Sequence, residues 1–125
     1  MVGEEGYKAL ERGDLITAYN EFSRAESNAE SPVERSMMMI NEGALLIAFG
    51  KLSMAVEKLI RAKSILSGID SEKKMLAVAC LNLSKAMLMV NRVESAESEA
   101  RCAERLLSPD DPHLLYVKAL IKFYR

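Results

Sequence analysis

The chain has 125 residues, of which 50% are hydrophobic and 28% charged, and its formal net charge is −1. That length suits one domain spanning 1–125 with a sizeable core, and that balance excludes a disordered chain or a nucleic-acid binder that works through bulk positive charge. No apolar run nears the roughly 20 residues needed to span a bilayer, residues 44–49 being far too short, so no membrane partner is expected.

Apolar residues recur at helical spacing from end to end, without the alternation a strand requires, which predicts an all-α chain. The first segment opens on Met1-Val2-Gly3-Glu4-Glu5, acidic where a secretory leader would be basic and then apolar, so a cytoplasmic location is expected. Breaks follow at Gly13-Asp14, Ser31-Pro32, Gly50-Lys51, Gly68 to Ser71, Asn91-Arg92 and Ser108 to Pro112, giving seven helical segments. Ser31-Pro32-Val33-Glu34 supplies a capping hydroxyl, a proline where no amide is lost and a glutamate placed to reach back, so a helix starts there. Gly50 and Asn91 can take the left-handed backbone that ends a helix, and Asp111-Pro112 caps the last segment. Such short turns make neighbouring helices antiparallel.

The middle of the chain repeats itself. "GDLITAYNEFSRAE" from Gly13 is echoed by "GKLSMAVEKLIRAK" from Gly50 and "NRVESAESEARCAE" from Asn91. Gly6, Gly13, Leu15, Ala18, Phe22 and Ala25 align with Gly43, Gly50, Leu52, Ala55, Leu59 and Ala62, and these with Ser84, Asn91, Val93, Ala96, Ala100 and Ala103. The units run about 1–30, 31–68 and 71–107, with a final helix over 112–125. Small residues at Gly43, Ser84, Ala18, Ala55 and Ala96 let the two helices of each hairpin approach closely. Large ones, Phe22 or Leu59 with Leu46 or Met87, are expected to fill the space between hairpins, so that each unit buries its apolar face by stacking on the next.

This pattern resembles the tetratricopeptide repeat family, in a long-repeat variant, over roughly residues 3–107. The resemblance implies a right-handed superhelical array of antiparallel helix hairpins, about three units plus a C-terminal helix. Three features depart from the family: units longer than its usual 34 or so residues; Val2, Met39 and Cys80 where an early aromatic is common; and Glu30, Ser67 and Ser108 where a proline usually closes the unit. Phe22 also shrinks to Ala100 in the third unit, where neighbouring methionines and leucines are expected to supply the missing volume. An ordinary bundle of seven helices is the alternative architecture.

No residue pattern points to catalysis. His113 is the sole histidine, beside Asp111-Pro112, where an exposed side chain is expected, and no phosphate-cradling loop or metal motif occurs. Cys80 and Cys102 are too few for a disulfide scaffold and read as buried or half-buried thiols. No cofactor or metal is expected. Glu94, Glu97, Glu99 and Glu104 interleave with Arg92, Arg101 and Arg105 as on a solvated helix face, and Lys58, Arg61 and Lys63 are too sparse for a nucleic-acid footprint.

The family resemblance implies a concave groove lined by the first helix of each hairpin. By register it holds Tyr7, Leu10, Met37, Ile40, Asn41, Ala44, Ile47, Val78, Leu81, Asn82, Lys85, Leu88 and Met89. The family's clamp for the acidic carboxyl terminus of heat-shock chaperones is matched here only at Asn41; its other positions read Gly3, Tyr7, Val78 and Asn82, so that ligand is not expected. The expectation is a non-catalytic scaffold holding a protein or peptide segment through Ile40, Asn41, Ile47, Leu81, Asn82, Lys85 and Leu88. The alternative is a homodimer formed through the last helix, whose Leu114, Val117, Ile121, Phe123 and Tyr124 make it more apolar than an end cap needs. A regulatory module acting beside a catalytic or DNA-binding chain is a third reading. Residues 1–34 carry eight acids and three bases and residues 112–125 three bases and no acid, which favours head-to-tail contact, although exposed charges are screened within about 10 Å.

Overall fold

Three helix starts, at Asp14, Ser31 and Asp111, carry side-chain caps. In the computed structural model, which describes residues 1–125, seven α-helices follow one another without a strand: α1 (Glu4–Glu11), α2 (Leu15–Ser27), α3 (Pro32–Ala48), α4 (Leu52–Leu66), α5 (Lys73–Met89), α6 (Val93–Glu104) and α7 (Pro112–Tyr124). A single 3₁₀ turn at Asp70–Glu72 precedes α5. Ser31 accepts a bond from the Glu34 amide at 3.1 Å, and the Glu34 carboxylate accepts one from the Glu30 amide at 3.1 Å. The glutamate therefore reaches one residue further back than in the usual reciprocal cap. Asp14 caps α2 through Thr17, and Asp111 caps α7 through the amides of His113 and Leu114.

The turns inside the three hairpins are the same structure built three times. Gly13, Gly50 and Asn91 have φ of 75°, 75° and 65°. The next amide then reaches back across the helix end: Asp14 to the Ala9 carbonyl at 2.9 Å, Lys51 to Leu46 at 2.8 Å and Arg92 to Met87 at 2.8 Å. This left-handed closure satisfies carbonyls that the helix end would leave without donors. Asparagine tolerates the conformation; a β-branched residue would not.

Close approach within each hairpin rests on one matched pair. A Cβ on Gly6 would stand 2.5 Å from the Phe22 ring, and one on Gly43 would stand 2.6 Å from Leu59 Cγ. The third hairpin inverts the sizes: Ser84 takes the glycine position, Ala100 takes the place of Phe22, and the serine hydroxyl donates to the Ala96 carbonyl at 2.8 Å. Ala100 lies in one core with Leu83, Met87 and Leu88. Phe22 and Leu59 correspondingly fill space inside their own hairpins, and Phe22 also clusters with Met38 and Leu45 of α3.

Consecutive helices pack on one another, and α5 touches both α3 and α7. Two cores result. The larger draws on α3 to α7 and includes Leu59, Leu66, Leu81, Leu83, Leu88, Leu114 and Val117; the smaller holds Ala9, Ala18, Phe22, Met38 and Leu45. Each second helix is also tied to the unit that follows by an ion pair at one equivalent position. Glu26 of α2 meets Lys58 of α4 at 3.0 Å, Lys63 of α4 meets Glu99 of α6 at 2.8 Å, and Glu104 of α6 meets Lys118 of α7 at 2.6 Å. Glu26, Lys63 and Glu104 are equivalent positions, so sign alternates from unit to unit.

Candidate functional site

A cleft of about 280 Å³ lies where α3, α5 and α7 meet. Its walls are Ala44 and Ile47 of α3, Asn82, Lys85, Leu88 and Met89 of α5, and Tyr116, Leu120 and Tyr124 of α7. One substitution between units explains why it is there. In the preceding gap Tyr7 stands edge-on to Phe22, with ring centroids 5.1 Å apart, and its hydroxyl accepts a bond from Asn41 Nδ2 at 2.8 Å. One unit later the position of Tyr7 is Ala44 and that of Asn41 is Asn82. The phenol is missing, so space opens and the Asn82 amide is left without an internal partner.

The polar groups at this cleft are uncompensated. Asn82 is only 6% exposed as a residue and lines the cleft. Lys85 is half-buried, and burial alone pulls its ammonium below the ordinary lysine range, with no acid close enough to oppose it. His113, expected to be exposed, is half-buried instead. Burial first and then the Lys85 charge lower its pKa against the opposing pull of Asp111, and its Nε2 is buried without a partner. An apolar slot bearing a free amide and an unpaired cation is equipped to receive a chain segment with a carbonyl or carboxylate.

The expected groove residues divide three ways. Ile47, Asn82, Lys85 and Leu88 come together in the cleft, Leu88 mostly from beneath. Asn41 is occupied by Tyr7. Ile40 and Leu81 belong to the core, because α3 and α5 touch and close over them. The expected self-association set also splits. Leu114, Val117 and Ile121 are buried against the larger core because α7 docks on α5 and α6, whereas Phe123 and Tyr124 are exposed. Tyr116 and Leu120 lie outside the expected groove set, yet with Tyr124 they form one wall; their i, i+4, i+8 spacing is the signal that places them together.

Two further hollows and clusters have different character. A hollow of about 310 Å³ opens over Ala100, rimmed by Glu97, Arg101, Glu104, Lys118, Lys122 and Arg125. Its charges largely satisfy one another: Glu104 pairs with Lys118, and Glu97 pairs with Arg101 and Arg125. Between α2, α3 and α4, Ser23 Oγ donates to Glu42 Oε2 at 2.9 Å, Lys58 Nζ lies 3.4 Å from the same oxygen, and Glu42 Oε1 has no partner. Burial and the adjoining Glu26 carboxyl push Glu42 up to about 7. Glu26 is also penalised by burial, but hydrogen bonds with Glu42 and Lys58 outweigh this and bring it below the usual range. The signal for this cluster is Glu42 itself, which stands where the third unit has Leu83.

No group of three or more His, Cys, Asp or Glu side chains is arranged to hold a metal ion. No helix is long and apolar enough to cross a membrane. No protein-family model matches this chain, and no curated protein matches it.

Proposed function

We propose that this chain is a non-catalytic interaction module, a short array of tetratricopeptide-like hairpins that holds a peptide or helix in the cleft between α3, α5 and α7. The observation that carries the reading is the pairing of an apolar slot with two polar groups, Asn82 and Lys85, that lack internal partners. Support for the superhelical arrangement comes from the thrice-repeated left-handed turn and from contact of α5 with α3 and α7, the helices that open successive units. The ligand is an amphipathic segment whose apolar side chains meet Ile47, Leu88, Met89 and Tyr116 while an acidic group meets Lys85.

The test is site-specific photo-crosslinking. A photoreactive residue at Met89 or Tyr116 should yield a defined adduct, and one at exposed Ile60 on α4 should not. Lys85→Glu should lower adduct yield about tenfold, the equivalent of about 1.4 kcal/mol. Equal adducts from Met89 and Ile60 end the cleft assignment.

Self-association is the second reading, favoured by the exposure of Phe123 at 83%, Tyr116 at 57% and Leu115 at 49% on one helix. It predicts a dimer in light scattering that Phe123→Glu dissociates. A strict monomer at high concentration rules it out.

A further inference from the structure

We propose that Cys80 and Cys102 form a reversible disulfide that staples α5 to α6, with Cys102 as the thiol that meets a hydroperoxide and Cys80 as the resolving thiol. The two sulfurs stand 3.2 Å apart although 22 positions separate them in the chain. A disulfide needs an S–S separation of about 2.05 Å, so roughly 1 Å of further approach completes the bond. The proximity is set by the hairpin, because α5 and α6 pack along their length and Ala96, Ala100 and Ala103 bring α6 close.

The two thiols are unlike. Cys80 is buried and Cys102 half-buried, so an oxidant dissolved in water reaches Cys102 first. Burial, the neighbouring thiol and the Glu99 carboxylate all hold Cys80 in its protonated form. Lys63 reaches over from α4, held by both Glu99 oxygens at 2.8 and 3.1 Å, and its ammonium acts on both sulfurs. At Cys80 the Lys63 charge opposes the upward shift without outweighing it.

The chemistry closes with hydrogen peroxide as oxidant. The Cys102 thiolate attacks one peroxide oxygen, the O–O bond breaks, and hydroxide leaves and takes a proton to become water. Cys102 is then a sulfenic acid, its sulfur oxidised by two electrons. The Cys80 sulfur attacks that sulfur, an S–S bond forms, the S–O bond breaks, and the departing hydroxyl takes the Cys80 proton as a second water. The net change converts two thiols and one hydrogen peroxide into one disulfide and two waters, and a dithiol reductant reverses it by exchange. This proposal is independent of the cleft and of any ligand.

The experiment treats the folded full chain with graded hydrogen peroxide, followed by non-reducing peptide mapping and thermal melts. The wild type should give a cross-link between the Cys80 and Cys102 peptides within one chain, a raised Tm, and return of both on adding dithiothreitol. Cys80→Ala should accumulate a dimedone-reactive sulfenic acid at Cys102. Cys102→Ser should leave Cys80 unlabelled in the folded protein. Two thiols that both stay free in the wild type, under peroxide that consumes free glutathione, would overturn the proposal without reliance on any variant. Cross-links found only between chains overturn it as well. Labelling of Cys80 in Cys102→Ser as fast as Cys102 in Cys80→Ala overturns the assignment of roles.

Discussion

At the scale of single residues, the decisive feature is the exchange of volume across each hairpin. Gly43 has no room for a side-chain atom beside Leu59, so Gly43→Ala should destabilise the fold by about 1–3 kcal/mol through overpacking. Adding Leu59→Ala should recover part of that cost, because the clash and the cavity share the same space; additive losses in urea titrations would contradict the pairing. Glu42 makes a second residue-level prediction. Its folded pKa of about 7 lies above the ordinary glutamate value of 4.5. Between those pH values the unfolded chain gives up a proton that the folded chain retains, so this group lowers stability as pH rises through the window and leaves it low above. Glu26 is shifted downwards and acts below that window. Glu42→Gln keeps an acceptor for Ser23 and removes the titration, so it should stabilise the protein by on the order of 2–3 kcal/mol at pH 8 and far less at pH 5. Parallel stability curves for the two proteins across this range would refute the assignment.

At the scale of elements, helix ends are set by local chemistry that tertiary packing leaves alone. Asn91 carries φ of 65° in an exposed turn, where Gly13 and Gly50 do the same work without a Cβ. Asn91→Gly should therefore stabilise by up to about 1 kcal/mol and Asn91→Ala should cost about 1 kcal/mol. Equilibrium melts of the two variants should move in opposite directions; equal shifts would mean that the turn is not strained. The repeated closure from Asp14, Lys51 and Arg92 also explains why the hairpins share one shape even where side chains differ.

At the scale of the whole molecule, the ion pairs Glu26–Lys58, Lys63–Glu99 and Glu104–Lys118 join successive units with alternating sign. Glu104–Lys118 is exposed, whereas the first two pairs are half-buried and worth about 1 kcal/mol at most, so they favour stacking order more than stability. Lys63→Glu should cost about 1 kcal/mol in reducing buffer, and the added Glu99→Lys should restore it by reversing the pair; failure of the double exchange would show that this contact does not couple α4 to α6. The small core under α1 and α2 contrasts with the large one spanning α3 to α7. Amides of α1 should exchange hydrogen before those of α5, since opening that end exposes the least apolar area.

Seven helices, their boundaries and the constant phase of three hairpins followed from the sequence alone, because caps, left-handed turns and small-residue spacing act over a few neighbouring residues. Ser31, Gly50, Asn91 and Asp111 needed no tertiary context to be read. Which groove positions stay open was decided only by packing across units. Leu81 and Ile40 have the same register as cleft residues but are closed over by neighbouring helices, and Asn41 and Asn82 differ because a residue 34 positions before Asn41 is Tyr7 while its equivalent before Asn82 is Ala44. Likewise the 3.2 Å approach of Cys80 to Cys102 and the burial of Glu42 depend on contacts between helices far apart in the chain. Local backbone chemistry determines where each helix starts and stops, whereas the accessibility and charge state of a side chain depend on what other units place against it.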